Sequence, residues 1–200
     1  GSWKSGTHRL GSEELENIFN PVRNLGIAVA SIQYRLTDDF TKFPDHISDV
    51  TDAIRFMVKN KDSFGIDANR ISLIGASAGA HLNLLAAIRQ DSFYEDPLLK
   101  DINYEIRCII SLATPLDLVD LSDYNSEELI KINELLNSFL GFSYEENPEI
   151  YHLASPMHHI SKNMPPIFLV HGEFDELVPV AQADRFYESL VDHRVTVEYI

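Results

Sequence analysis

The stretch ISLIGASAGAHLNLLAAI, residues 71–88, decides how this chain is read. An apolar run from Ile71 to Ile74 ends at Gly75, and helix-spaced apolar residues at Leu84, Leu85 and Ile88 follow Gly79. Between the two glycines stands Ser77. A strand that turns straight into a helix reverses direction at one residue, and that residue takes a strained backbone geometry, usually with positive φ. Gly75 and Gly79 are expected to remove collisions on either side of the bend, and Ala76 and Ala78 to keep it narrow. The turn lifts the Ser77 hydroxyl clear of the sheet at a helix N-terminus. There the Ala78 N–H and the helix dipole favour developing negative charge. G-x-S-x-G alone is a weak signal; its position between strand and helix gives it weight.

The flanking sequence repeats the alternation. Gly26–Tyr34 reads as a buried strand. Phe43-Pro44-Asp45 opens a helix, with proline and an acid in its first turn and Ile47, Val50, Ile54 and Met57 at helical spacing. Phe64–Asp67 is a turn, and Arg107–Ala113, Pro166–His171 and Val195–Ile200 read as further strands. Pro179 opens another helix with Ala183, Phe186 and Leu190 on one face. Strands alternating with helices predict an α/β fold, a mostly parallel sheet with helices on both faces. One domain is expected over residues 1–200. A helical insertion at about 116–160, above the sheet edge, is where lids and substrate pockets tend to be built.

Composition narrows the function classes. Acidic residues outnumber basic ones 31 to 16, for a formal charge of −15. Such a surface disfavours nucleic acid and anionic lipid as partners. The single cysteine, Cys108, excludes an intrachain disulfide and reads as a small buried hydrophobe. No apolar run approaches the roughly 18 residues of a membrane span. Nothing calls for a cofactor. His152, His158 and His159 lack a matching carboxylate or cysteine pattern, so they read as a surface cluster and no metal site is expected.

Serine at neutral pH is a poor nucleophile and needs a base, which in turn needs an orienting acid. In α/β enzymes of this type the chain order is serine, acid, histidine. The acid belongs just past a later strand. Asp175, in the loop between His171-Gly172 and Pro179, meets that requirement, with Glu173 as the competing carboxylate.

Tyr34-Arg35-Leu36, Phe64–Asp67 with Arg70, Gly75–Leu82, Ser155-Pro156 and His171–Pro179 together resemble the α/β-hydrolase superfamily of serine esterases and lipases. The resemblance is nearest to the feruloyl and acetylxylan esterase-like carboxylesterases and to kynurenine formamidase-like enzymes. It covers nearly the whole chain and is specific for the superfamily, not for a substrate. It implies Ser77 as nucleophile and Asp175 as acid, acting on a small-molecule ester through an acyl-enzyme. Gly1-Ser2-Trp3 resembles the end of the family's His-Gly-Gly-x-Trp loop. That match implies Gly1 and Ser2 as backbone oxyanion donors beside Ala78, with Trp3 at the substrate pocket. Without the resemblance, Gly1-Ser2 reads as a cloning remnant.

None of the eight histidines occupies the place of the family's base. His8 and His46 come too early, His81 looks structural or placed to support the site from behind, His171 braces its loop, and His193 precedes the last strand. The catalytic histidine is therefore expected beyond Ile200, and the chain is expected to lack both the family's first strands and its C-terminal end. Two alternatives stay open: an arylformamide hydrolase using the same machinery, and a non-catalytic binding module of the same fold. A peptidase domain of this fold fits less well, given the short insertion. Substrate, oligomeric state and compartment are not legible.

Overall fold

The computed structural model describes residues 1–88, 93 and 95–200. Among the described residues four strands form one sheet: β1 (Ile71–Ala76), β2 (Ile106–Leu112), β3 (Ile167–Val170) and β4 (Val197–Tyr199). They lie in the order β1-β2-β3-β4, and every neighbouring pair is parallel. Parallel neighbours require crossovers, and helices supply them. Helix α1 (Asp45–Lys59) precedes β1, α2 (Ala78–Ile88) joins β1 to β2, and α5 (Val180–Asp192) joins β3 to β4. Between β2 and β3 the expected helical segment forms α3 (Ser126–Leu140), α4 (Pro148–Ala154) and a 3₁₀ turn (Pro156–His159).

Local chemistry sets these limits. Asn125 caps α3 by accepting from the Glu127 and Glu128 amides while Glu128 accepts from the Asn125 amide, and Gly141 ends the helix at φ +86°. Asn147 caps α4, with Pro148 in its first turn. The register aligns Leu73, Ile109 and Ile167, all buried, on the face packed by Leu84 and Leu85 of α2. Ile47, Val50 and Ile54 of α1 and Phe186 and Leu190 of α5 extend that core. The opposite row of Ile74, Ile110 and Phe168 is less covered, and Ile74 is 41% exposed.

One expected strand is not formed. Gly26–Tyr34 is irregular and mostly exposed, with Ile27 at 50%. A strand is held by backbone bonds to a neighbour. β1 is an edge of the sheet, and no described residue pairs with 26–34, so its apolar composition has no ladder to join. Instead the chain is pinned just beyond. The Arg35 side chain forks onto Asp49 of α1 at 2.8–3.1 Å, and the Arg35 amide donates to the same carboxylate at 2.7 Å. That is the structural use of Tyr34-Arg35-Leu36.

The two glycines around Ser77 prove unequal. A Cβ on Gly75 would lie 2.7 Å from both the Ala80 nitrogen and the Gly79 carbonyl carbon. Only glycine lets α2 sit this close to β1. At Gly79 an added Cβ meets nothing within 4 Å. The expected symmetry therefore fails, because the helix turns Gly79 toward open space. Gly75→Ala is expected to cost about 1–3 kcal/mol through forced backbone displacement. Gly79→Ala is expected to be neutral or to stabilise by up to about 1 kcal/mol by restricting the unfolded chain. Urea unfolding of both variants checks the difference.

Candidate active site

Ser77 stands at the carboxyl end of β1 with φ +51°, the left-handed conformation expected of the turn residue. Its amide donates to the Leu112 carbonyl on β2 at 2.8 Å, and its carbonyl accepts from the His81 amide at 3.0 Å. The apex is thus tied to the sheet on one side and to the first turn of α2 on the other. Among the described residues the Ser77 hydroxyl makes no hydrogen bond. Ala78 is the first residue of α2, so its N–H is one of the donors that a helix leaves without an internal partner.

The N-terminal segment reaches the same helix. Ser2 and Trp3 both have φ +57°, two consecutive left-handed residues without a glycine. Such backbone costs about 1–3 kcal/mol per residue and persists where its surroundings enforce it. Trp3, expected at the substrate pocket, is 1% exposed and lies in the core cluster. Its indole donates to His81 Nδ1 at 3.2 Å, its ring stacks on Phe139 of α3 at 4.2 Å, and its carbonyl accepts from the Thr37 amide at 2.9 Å. The Gly1 amino group turns into its own loop, donating to the Ser5 carbonyl and hydroxyl.

Two buried histidines complete this network: His81, which reads as structural from the sequence, and His46, which the sequence excludes only as the base. His81 Nε2 lies 2.7 Å from the Ala154 carbonyl of α4. An indole nitrogen only donates, so Nδ1 of His81 must be the acceptor and Nε2 must carry the hydrogen. His46 Nε2 lies 2.8 Å from the Thr37 hydroxyl, and its ring packs edge-on against Phe139 at 5.0 Å. Burial pushes the imidazole of each down to about 4. A signal for both existed in the helical spacing: 46, 50 and 54 share the inner face of α1, as 81, 84, 85 and 88 share that of α2.

Asp175 is fixed by its own loop. Its Oδ1 accepts from the Leu177 and Val178 amides at 2.8 and 3.0 Å, and its Oδ2 lies 3.6 Å from His171 Nε2. That histidine nitrogen also lies 2.8 Å from the Val178 carbonyl, so His171 braces the turn. The competing Glu173 is exposed. Asp175 and Glu173 both line an open cavity of about 360 Å³, together with Asp123, Glu128 and Glu176. Burial, followed by the charges of Asp123, Asp175 and Glu128, pushes the Tyr124 hydroxyl up to about 12.

The remaining histidines are engaged elsewhere. His193 Nδ1 lies against the Ser189 carbonyl of its own helix, and His8 bonds Gln33. His152 packs on His158, which lies 3.5 Å from Asp117. Among the described residues no group of three or more histidine, cysteine or acidic side chains is arranged to hold a metal ion. Nor, among them, is any helix long and apolar enough to cross a membrane.

The BD-FAE family profile matches residues 1–190. The chain belongs to the BD-FAE family. Esterase LipC of Mycobacterium tuberculosis is 29% identical over 191 residues, which cover 95% of this chain and 46% of that protein. Esterase LipQ of the same organism is 33% identical over 177 residues, covering 88% of this chain and 41% of its own length. This member of the BD-FAE family therefore spans less than half the length of the curated relatives it matches. A truncated carbohydrate esterase from gut microbiota aligns over 100% of this chain and 73% of its own with a TM-score of 0.82 at 22% identity. That likeness shows the shared α/β-hydrolase fold.

The buried histidines make stability depend on acid. Each protonates near 6.5 when unfolded but only near 4 in the fold, so between those values the unfolded chain binds more protons. Their contribution is complete above about pH 6.5 and is lost as pH falls toward 4. Within that window the slope should approach about 1.4 kcal/mol per pH unit for each histidine. Urea unfolding between about pH 7 and 5 measures it, and His81→Asn should remove one histidine's share of the slope.

Proposed function

We propose that this chain carries the nucleophile and the acid of a serine hydrolase that cleaves a small carboxylic ester. The observation that carries the reading is Ser77 held at φ +51° on a parallel strand end, with the first free amide of a helix beside it. In the proposed reaction Ser77 Oγ attacks the ester carbonyl and its proton passes to a histidine, expected after β4 beyond Ile200. The tetrahedral oxyanion is met by the Ala78 N–H and by the N-terminal loop, through the Ser2 amide and, once its nitrogen leaves Ser5, through Gly1. Its collapse expels the alcohol, which takes the proton back from the imidazolium, and leaves an acyl-Ser77. Water activated by the same imidazole then releases the carboxylic acid and restores the serine. Asp175 orients the imidazole and stabilises its charged form.

Support for the acid comes from the two amides that fix Asp175, whereas among the described residues Glu173 has no comparable anchor. The esterase relatives support the ester as the substrate class. Residues 1–200 read as one domain, with α3 and α4 as its substrate-side insertion. In the natural-length protein, a fluorophosphonate should label Ser77 and abolish hydrolysis of a short-chain aryl ester. Ser77→Ala should lower turnover by on the order of 10⁶ and Asp175→Asn by about 10⁴. Glu173→Gln should leave it near the parent rate. Full activity in Ser77→Ala would refute the assignment.

A further inference from the structure

The Ser2–Trp3 backbone is left-handed at two successive residues, and something must hold it there. The stacking of Trp3 on Phe139 fixes the plane of the ring but leaves it free to slide. Two directional bonds hold the residue: the Thr37 amide on the Trp3 carbonyl at 2.9 Å restrains the backbone, and the buried 3.2 Å bond from the indole nitrogen to His81 Nδ1 restrains the side chain. His81 is itself clamped. Its amide binds the Ser77 carbonyl, and its Nε2–H donates to the Ala154 carbonyl. One imidazole thus touches the helix turn that carries Ser77, the N-terminal loop and the segment between β2 and β3.

We propose that His81 is a positioning residue: through Nδ1 it sets the Trp3 indole, and with it the Gly1–Ser2 backbone, relative to Ser77 before substrate binds. The inference rests on the serine hydrolase reading above, in which Gly1 and Ser2 supply oxyanion donors. Those donors act only if they are in place when charge develops, so a loop free to shift loses turnover rather than substrate affinity. Solvent has no access to repair the bond, because His81 is fully buried and Trp3 nearly so.

The two ring nitrogens are separable by substitution. In His81→Asn the amide oxygen falls near the Nδ1 position and still accepts from Trp3, while the bond to Ala154 is lost. In His81→Gln the amide nitrogen reaches the Nε2 position and still donates to Ala154, while the indole loses its acceptor. Each variant removes one buried bond, so a merely structural role would penalise both alike. The test uses natural-length, ¹⁵N-labelled protein. It records the indole N–H resonance of Trp3, assigned by its loss in Trp3→Phe, together with kcat and KM on a short-chain aryl ester and the rate of fluorophosphonate labelling at Ser77.

His81→Asn should keep the downfield indole resonance and a kcat close to the parent. His81→Gln should shift the resonance upfield and lower kcat by up to about 10²-fold with KM little changed, the loss expected when oxyanion donors are misplaced. Trp3→Phe keeps a ring on Phe139 without the N–H. It should lose kcat as His81→Gln does, and it decides the matter if the glutamine variant fails to fold. Equal losses in the asparagine and glutamine variants, or a parental kcat in Trp3→Phe, would overturn the proposal while leaving Ser77 labelling intact. Absence of labelling in the parent would instead remove the hydrolase reading and this role with it.

Discussion

Everything around Ser77 depends on how closely α2 approaches the end of β1. The helix begins one residue after the apex, and its first turn lies so near the strand that a single methyl at Gly75 would strike backbone atoms 2.7 Å away. Backbone cannot rotate aside as a side chain can, so the constraint is absolute in kind even where its energy is a few kcal/mol. Its consequence is the left-handed Ser77, held by an amide bond to β2 and a carbonyl bond to the His81 amide. The strain is local, but its supports lie in two neighbouring elements. The parallel register of β1 with β2 is therefore part of the site.

A second constraint is the buried polar chain running His46–Thr37–Trp3–His81–Ala154. It crosses an aromatic cluster in which Phe139 contacts Trp3, Phe43, His46 and His81. Apolar packing alone tolerates sliding and exchange of partners, whereas a buried donor left without its acceptor costs about 1–3 kcal/mol. The polar atoms therefore choose one arrangement among those that the aromatic rings would permit. Neutral imidazoles suit this place because each can accept at one nitrogen and donate at the other; charged ones would present two donors.

Much of the architecture was legible because local pattern and global fold agree. β1, β2 and β3 fall within a residue or two of the apolar runs that announce them, and α5 begins one residue after Pro179. The failures share a cause: they concern what lies opposite a residue, which periodicity does not encode. Gly26–Tyr34 has strand composition without a neighbour. Gly79 matches Gly75 in the sequence and differs from it in surroundings. Within one segment Phe139 and Tyr151 are core, whereas Phe142 and Tyr144 are exposed. Of the proposed site, Ser77, Ala78 and Asp175 follow from position relative to strand ends, which sequence does encode. The clamp on Trp3 joins residues 78 positions apart and left no local trace beyond helical phase.

The charge of the molecule bears on the proposed chemistry. With a formal charge of −15, the surface is acidic, and the cavity beside Asp175 concentrates that sign through Asp123, Glu128, Glu173 and Glu176. The raised Tyr124 hydroxyl registers the same field, after burial, in another group. A negative field at this end of the sheet stabilises the imidazolium formed when a histidine takes the serine proton, and so supports proton transfer at neutral pH. It opposes the oxyanion, so in the proposed reaction the donors must be short-ranged and aimed, acting at hydrogen-bond distance where they outweigh solvent-screened carboxylates. The same carboxylates repel the carboxylic acid product once it ionises. Under the proposed function the acidic surface would favour a neutral ester entering and an anion leaving, and would leave stabilisation of the tetrahedral state to a few backbone amides.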